Sequence, residues 1–453
     1  MIVREPPRRK RAKSGNAVRS TRGTEAQSHR GTRLVRAVLL VTAAWAGRLE
    51  GQVQAVRFGA LVDGAGRVVR DAVVVIDADT IVRVGTGDAA VPRGATVHDL
   101  RRYTGIPGLI DVHTHITYWR ARGNLAPAPA PGPRTAEQIL AGAAENARRT
   151  LETGVTTVRD LGASNYTDLA VRDSIALGRM TGPRVFAAGF GLSKQAAAGR
   201  AGAPPGPPRG RVRDTSEITQ AVRAQAAAGA DWIKMYGSTG SFADVTGRQT
   251  FTFDEMRAAV NAARQVGKPI AIHSYGPEGA RDAMRAGANS VEHATDVPDS
   301  VLTAWARSGT FYVPTIDHNR FYADNAAELR YTEEQVAALK AFIARNVETA
   351  RRAHRAGVKL AMGSDAVYWM FGENTRELRW FVEAGLTPAQ ALATATTNAA
   401  ELLGLPNKLG KVAPGFYADL VAVEGDPLAD INVVTDRVRW VMRGGRVVVN
   451  GLK

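Results

Sequence analysis

The chain has 453 residues, 45% hydrophobic and 23% charged, which is enough for a large domain with a smaller partner. It contains no cysteine, which excludes disulfides, cysteine-bound metal and a cysteine nucleophile. The formal net charge is +16, but residues 1–50 alone carry +9, and no helix-turn-helix, finger or aromatic stacking pattern accompanies this basic tail. We therefore expect no nucleic-acid partner.

A short apolar run at residues 37–46 follows the basic tail. It is too short to span a bilayer and is typical of a secretory signal, with Ala44-Trp45-Ala46 as a small-x-small cleavage site. The preceding basic segment is longer than usual, which a start codon assigned too far upstream would explain. We expect a periplasmic or secreted protein with no stable membrane insertion after processing. The alternative is a cytoplasmic protein with a disordered basic tail.

Both ends of the remaining chain are β-rich. Residues 53–104 contain short valine, isoleucine and leucine runs separated by Asp63-Gly64, Gly66 and Asp77. The segment from about residue 409 is similar, and Gly444-Gly445 in it predicts a hairpin. These two ends flank a different middle, so they predict one small β domain formed by both termini.

The middle alternates between short β-type runs and alanine-rich helical stretches. The β-type runs lie at 106–113, 155–160, 183–188, 231–236, 268–273, 289–293, 310–315 and 358–363. The helical stretches include 135–152, 215–228, 254–266, 277–287, 334–356 and 374–385. Eight βα units predict an α/β fold of the TIM-barrel type, (β/α)8. A doubly wound open sheet is the second choice, but no glycine-rich phosphate loop follows the first strand.

Two long loops of low complexity, 119–134 and 189–213, follow predicted barrel strands. Both would sit over the active face of the barrel. They are either solvated Pro/Ala/Gly linkers or a lid or rim of the site.

Residues of metal-binding type stand at the ends of the predicted strands, where barrel enzymes keep their catalytic groups. The set is His113, His115, Lys234, His273, His293 and Asp365. His113 and His115 end the first strand, and residues i and i+2 share a face, so both imidazoles can converge on one cation. Each residue alone has an ordinary explanation, but the set in this order indicates a metal site. Nitrogen and oxygen ligands without a thiolate suit Zn, Mn, Co or Fe(II).

From about residue 56 to 450 the chain resembles the amidohydrolase superfamily, most of all its Xaa-Pro dipeptidase-like and imidazolonepropionase-like branch. The motifs that carry the resemblance are 105–115 (GIPGLIDVHTH), the Lys234 segment, 273–276 (HSYG), 291–293 (VEH), 363–365 (GSD) and 409–420 (LGKVAPGFYADL). The superfamily hosts many substrates on one skeleton, so the motifs do not name the substrate.

The resemblance implies two divalent metal ions, each with its own ligands, and zinc is the metal we expect before Mn, Co or Fe. His113, His115 and Asp365 would bind the more buried metal. His273 and His293 would bind the other. Lys234, carboxylated by CO2 to a carbamate, would bridge both, which would convert a costly buried cation into an anionic oxygen ligand.

The implied activity is that of a binuclear metal-dependent amidohydrolase cleaving a C–N bond in a dipeptide or N-acyl amino acid. A metal-bridging hydroxide would attack, and Asp365 would shuttle the proton. Tyr236 faces the same side as Lys234 and either hydrogen-bonds the substrate or packs under a loop. Tyr275 and His318 are weaker candidates for substrate contact.

Three other functions stay open at this point. They are a cyclic-amide or lactone hydrolase, a mononuclear aminohydrolase, and a non-enzymatic scaffold, which the six filled ligand positions argue against. The expected partner is a small amide or peptide, and we expect a homo-oligomer. The predicted organisation is a basic extension with a signal-type segment (1–52), a β-sandwich domain in two parts (53–105 and 405–453) and a TIM-barrel hydrolase domain (106–404).

Overall fold

The computed structural model describes residues 53–64, 66–120, 122, 135–194, 210–240 and 245–452. The predicted signal-type segment at 37–46 and most of the loops 119–134 and 189–213 lie outside these residues. Within the part that is described, no helix combines the length and the hydropathy that a membrane crossing needs.

Strands occupy both ends of the described chain and alternate with helices between them. In chain order they are β1 (Gln54–Val62), β2 (Val68–Asp77), β3 (Thr80–Thr86), β4 (Thr96–Pro107), β5 (Leu109–Thr114), β6 (Val155–Asp160), β7 (Arg184–Ala187), β8 (Ser193–Lys194), β9 (Arg211–Val212), β10 (Ile233–Tyr236), β11 (Ile270–Ser274), β12 (Ser290–His293), β13 (Phe311–Val313), β14 (Leu420–Val423), β15 (Val438–Arg443) and β16 (Arg446–Asn450).

The helices are α1 (Ala136–Glu152), α2 (Thr167–Ala176), α3 (Thr215–Ala227), α4 (Phe253–Gln265), α5 (Pro277–Ala286), α6 (Asp299–Trp305), α7 (Ile316–Asp324), α8 (Ala326–Leu329), α9 (Glu333–Ala356), α10 (Glu377–Glu383), α11 (Pro388–Thr394), α12 (Thr397–Leu402) and α13 (Asn432–Asp436). Single 3-10 turns lie at Asp88–Ala90, Ser164–Tyr166, Tyr368–Met370 and Asn374–Arg376. The helical stretches predicted from the sequence are confirmed, although the last is a 3-10 turn followed by the short α10.

Both chain ends contribute to one small β domain. Its strands follow the order β16-β15-β14-β4-β1-β2-β3, and Leu420 of β14 pairs with Pro107 of β4. Buried side chains from both ends, including Phe58, Val74 and Trp440, form one core cluster. Burial of apolar surface by strands that are distant in sequence therefore joins the two termini.

The central strands are parallel and form the barrel. They run β5-β6-β7 and β10-β11-β12-β13 in hydrogen-bonded order. The gap between β7 and β10 is closed by the segment that follows β7, because the Leu192 N–H donates to the Lys234 carbonyl of β10 at 2.8 Å.

Residues 358–363 fill the eighth barrel position without forming a regular strand. The Tyr312 N–H donates to the Lys359 carbonyl at 2.9 Å on one side, and the Val112 N–H donates to the Met362 carbonyl at 2.9 Å on the other. The segment therefore bridges β13 and β5, and the predicted (β/α)8 fold is confirmed. All strand carboxyl ends consequently meet at one mouth of the barrel.

Candidate active site

The six side chains predicted from the strand ends converge at that mouth, and all are buried. The Asp365 Oδ1 atom lies 3.2 Å from His115 Nε2 and 3.5 Å from His113 Nε2. Ligand-type atoms of these three residues all lie within 4.8 Å of one another, close enough to share one metal ion. A shift of register in β5 between Asp111 and Thr114 accompanies the placement of both histidines.

His273, His293 and Lys234 complete the group. The rings of His273 and His293 are 4.5 Å apart, and the His113 ring lies 5.0 Å from that of His293. The Lys234 Nζ atom is 3.5 Å from His113 Nε2. His273 Nε2 is buried without a hydrogen-bond partner among the described residues, which fits a nitrogen reserved for a metal.

Three residues at the strand ends have left-handed backbones, which non-glycine residues rarely adopt. The φ angles are 76° at His293, 52° at Thr315 and 51° at Asp365. Such conformations cost on the order of 1–3 kcal/mol each and persist only where the surroundings enforce them. At these residues the chain turns sharply as it leaves the barrel, and two of the strained residues, His293 and Asp365, are predicted ligands.

Hydrogen bonds orient the histidines so that their Nε2 atoms face the centre. His113 Nδ1 lies 2.8 Å from Glu292 Oε2, and His115 Nδ1 lies 3.0 Å from the Gly162 carbonyl. His293 Nδ1 lies 2.5 Å from Thr315 Oγ1, whose own proton goes to the Pro314 carbonyl. Because all three partners act as acceptors, each Nδ1 carries the proton and each Nε2 keeps its lone pair for a metal.

Burial also favours the neutral form of three of these imidazoles, whereas for His115 the adjacent Asp365 carboxylate outweighs burial and raises the pKa. Burial lowers the pKa of His113 to about 4, with the Lys234 charge adding to the effect, and lowers the pKa of His273 and His293 well below the usual range. Burial alone would raise the pKa of Asp365, but His318, His113 and His115 together hold it well below its usual value. Neutral imidazoles and an ionised carboxylate form a donor set that suits a divalent metal.

The environment of Lys234 favours its uncharged form. Burial lowers the pKa of its ammonium to about 8, although Glu292 and Asp365 oppose the shift. A sizeable neutral fraction near pH 7 to 8 is unusual for lysine, whose unperturbed pKa is about 10.4. Only the neutral amine can react with CO2, so this site is chemically suited to carbamate formation.

The three predicted substrate-contacting residues lie against the same centre. The Tyr236 ring stands 5.6 Å from that of His273, and burial raises its pKa, so its hydroxyl remains a donor. The Tyr275 ring is 5.0 Å from the rings of both His273 and His293. His318 Nδ1 lies 2.8 Å from the Asp365 carbonyl oxygen and 3.5 Å from its Oδ2 atom. His318 thus contacts the proposed proton carrier directly.

The structure adds residues that the sequence patterns did not single out. The Tyr118 ring stacks on His115 at 4.8 Å, and the Tyr322 ring stands edge-on to His318 at 4.8 Å. Glu292, which directly precedes His293 on β12, contacts His113, and Arg159 of β6 contacts Glu292. Their only signal in the sequence was a charge near the end of a β-type run, where Glu292 precedes His293 and Arg159 precedes Asp160.

Comparison with known proteins decides the family, because residues 104–448 match the model of the amidohydrolase family. The chain belongs to the amidohydrolase family. The resemblance predicted from the motifs is therefore confirmed, and the protein is a hydrolase of a family that acts on C–N bonds.

The relatives cover most of the chain. Ochratoxinase of Aspergillus niger is 29% identical over 432 residues, covering 88% of this chain and 87% of its own. Imidazolonepropionase of Chloroflexus aggregans is 26% identical, covering 85% of this chain and 90% of its own. Among solved structures, a Xaa-Pro dipeptidase with methionine in its active site has a TM-score of 0.79 at 33% identity, covering 87% of this chain and 99% of its own. The superposition supports the barrel with its β-sandwich domain.

Proposed function

We propose that this member of the family is a binuclear metal-dependent hydrolase that cleaves an amide bond in a dipeptide or an N-acyl amino acid. The observation that carries the proposal is the convergence of four imidazoles, one carboxylate and one buried lysine on a single centre. His113, His115 and Asp365 would hold one metal, and His273 and His293 would hold the other. Lys234 as a carbamate would bridge them.

The chemistry divides between the metals and the chain. Divalent metals bound there, zinc first among them, would activate a water molecule and polarise the scissile carbonyl. Asp365 would accept one proton of the attacking water and deliver it to the leaving nitrogen as the C–N bond breaks. His318 would hold Asp365 in place through its 2.8 Å contact with the Asp365 carbonyl. The Tyr236 hydroxyl would donate to the substrate carbonyl or to a terminal carboxylate.

The relatives support amide substrates of small size. Proteins named ochratoxinase and Xaa-Pro dipeptidase are similar over most of the chain. The similarity to imidazolonepropionase favours a second candidate, hydrolysis of a cyclic amide at the same site.

Metal analysis tests the metal part of the proposal. Purified protein reconstituted with zinc and bicarbonate is expected to hold close to two metal ions per chain, and the Lys234→Ala variant is expected to hold fewer and to lose the dependence on bicarbonate. One metal per chain with a fully active Lys234→Ala variant would favour a mononuclear site instead.

A substrate screen tests the chemistry. Dipeptides, N-acyl amino acids, cyclic amides and lactones would be offered to the metal-loaded protein at equal concentration. Turnover of the first two classes supports the proposal, whereas turnover confined to cyclic amides or lactones selects the alternative.

We also propose that the protein is exported, on the strength of the apolar run at residues 37–46 and the Ala44-Trp45-Ala46 site. Sequencing the amino terminus of the protein from its native host tests this. A mature chain beginning directly after Ala46 supports export, and an unprocessed chain contradicts it.

A further inference from the structure

A charged pair lies inside the barrel next to the metal-binding centre, in a position that direct contact with substrate or metal does not explain. Arg159 and Glu292 are both completely buried, and Arg159 Nη2 donates to Glu292 Oε1 at 3.1 Å. Buried ion pairs are weak contributors to stability, because losing both hydration shells offsets most of the attraction. The pair therefore calls for an explanation other than stability.

The Arg159 guanidinium is held on several sides. Its Nε donates to the Val112 carbonyl at 2.5 Å, and Nη1 donates to Ser290 Oγ at 2.9 Å. Its Cζ atom lies 4.3 Å from the centre of the Trp232 ring. Val112 directly precedes His113, and Ser290 shares β12 with His293, so one side chain of β6 ties together two strands that carry ligands.

Glu292 transmits this arrangement to His113. Its Oε1 atom accepts from Arg159 Nη2 and, at 2.5 Å, from the Ser290 hydroxyl. Its Oε2 atom is thereby left to accept from His113 Nδ1 at 2.8 Å. The carboxylate cannot rotate without breaking these bonds, so the proton of His113 stays on Nδ1 and Nε2 points toward Asp365 and Lys234.

We infer that Arg159 and Glu292 form a positioning relay that sets the orientation and tautomer of His113, and with them the affinity for the more buried metal. The inference rests on the metal centre proposed above. Arg159 suits this role because its planar fork of N–H groups serves three acceptors in fixed directions, which a lysine ammonium does not.

The amide in Glu292→Gln gives a sharp test because it has one oxygen and one NH2 group. Arg159 presents only donors, so the Gln oxygen should turn toward Arg159 and its NH2 group toward His113. The Nδ1 atom of His113 must then accept, its proton moves to Nε2, and that nitrogen can no longer bind a metal. Removing Arg159 as well frees the Gln oxygen to face His113 again.

The effects of the Glu292 and Arg159 substitutions on metal affinity are therefore not expected to add. Glu292→Gln should weaken binding of the tighter metal on the order of 10- to 100-fold, the usual effect of losing a partner of a ligating histidine. Arg159→Met should weaken it in the same direction, because Oε1 loses the donor that holds the carboxylate. The double variant should bind metal more tightly than Glu292→Gln alone.

Arg184→Met is the matched control. Arg184 is also a barrel-strand arginine, with Nη1 2.8 Å from Asp419 Oδ2, but it contacts none of the proposed ligands. Zinc affinity would be measured by competition with a chromophoric chelator, and urea unfolding of the metal-free proteins would report stability separately. Nitrogen chemical shifts of labelled histidine would report the tautomer directly. The control is expected to lose stability but keep the zinc affinity of the unaltered chain.

The outcomes separate the relay from the metal centre on which it rests. If the unaltered chain binds no divalent metal, the proposed function and the relay both fail. If it binds metal and all variants bind with the same affinity and the same His113 tautomer, the relay alone is overturned and the pair is only structural. A double variant that binds zinc no more tightly than Glu292→Gln alone would also overturn the relay.

Discussion

Replacement of Asp365 by asparagine isolates the proposed proton carrier with little change of shape. Asparagine is among the few residues that tolerate the left-handed backbone found here, where φ is 51°, so the fold should survive. The amide cannot take a proton from water as the carboxylate does. We expect kcat to fall on the order of 100-fold or more, equivalent to about 2.7 kcal/mol in transition-state stabilisation.

The loss of a ligand must be separated from the loss of proton transfer. Asp365 Oδ1 lies 3.2 Å from His115 Nε2, so the variant should also bind the more buried metal less tightly. The assay is therefore steady-state hydrolysis at saturating zinc, with metal content measured on the same sample. Asp282→Asn is a suitable control, because Asp282 has the same exposed fraction but lies on α5, where it accepts hydrogen bonds from Arg281 and from Gln249.

The reasoning is refuted by a specific result. If the Asp365→Asn variant holds the normal metal content and turns over within about threefold of the unaltered protein, Asp365 is not the proton carrier. A matching loss in the Asp282→Asn control would instead trace the effect to general disturbance of the barrel.

Further predictions concern the tyrosine and the buried histidines of the site. Tyr236→Phe should lower kcat/KM about 10-fold or more through loss of one donor to the substrate, and steady-state kinetics with an unchanged melting temperature would check it. Gly191→Ala should reproduce that loss, because a Cβ there would overlap the Tyr236 ring; unchanged kinetics would contradict it. In the metal-free protein, buried His113, His273 and His293 should each lower stability as pH drops from about 6.5 toward 4, because the unfolded chain binds protons that these imidazoles do not bind when folded. Buried Asp111, Asp160 and Glu377, whose pKa values burial raises, act in the opposite direction, so the contribution of the histidines is measured by difference. Urea unfolding of the unaltered chain and of a variant lacking one of these histidines, compared across that range, tests the sign, and an equal or steeper acid loss in the variant would contradict it.

Two of these predictions have matched controls in the same barrel. Tyr312→Phe removes a buried hydroxyl that bonds the Ala294 carbonyl at 2.5 Å and Asn346 at 2.8 Å, so it should reduce stability and leave KM unchanged. A His273→Ala variant should show a shallower loss of stability on acidification than the unaltered chain, because one depressed pKa is removed.

Local sequence patterns were sufficient for the architecture and for the proposed ligands. Alternation of β-type runs and helical stretches predicted the barrel, because period and burial are encoded within a few residues. The placement of Lys234, His273 and His293 at run ends predicted their convergence, because parallel strands of a barrel present their carboxyl ends at one mouth.

Other features depended on contacts between distant parts of the chain. The eighth barrel position at 358–363 looked like an ordinary strand, yet it forms only bridging bonds to β13 and β5. His318 was expected to contact substrate, and its partner in the structure is Asp365. The left-handed backbones of His293 and Asp365 also had no sequence signal, because they are imposed by neighbours and not by residue type.

By itself, therefore, the sequence determined the fold class, the family and the six polar residues at the barrel mouth. The tertiary structure alone decided how those residues are oriented. Glu292 reaches His113 across 179 positions of sequence, and Arg159 reaches Glu292 across 133. Local periodicity records which face of a strand is buried, but only closure of the barrel determines which buried side chains meet inside it.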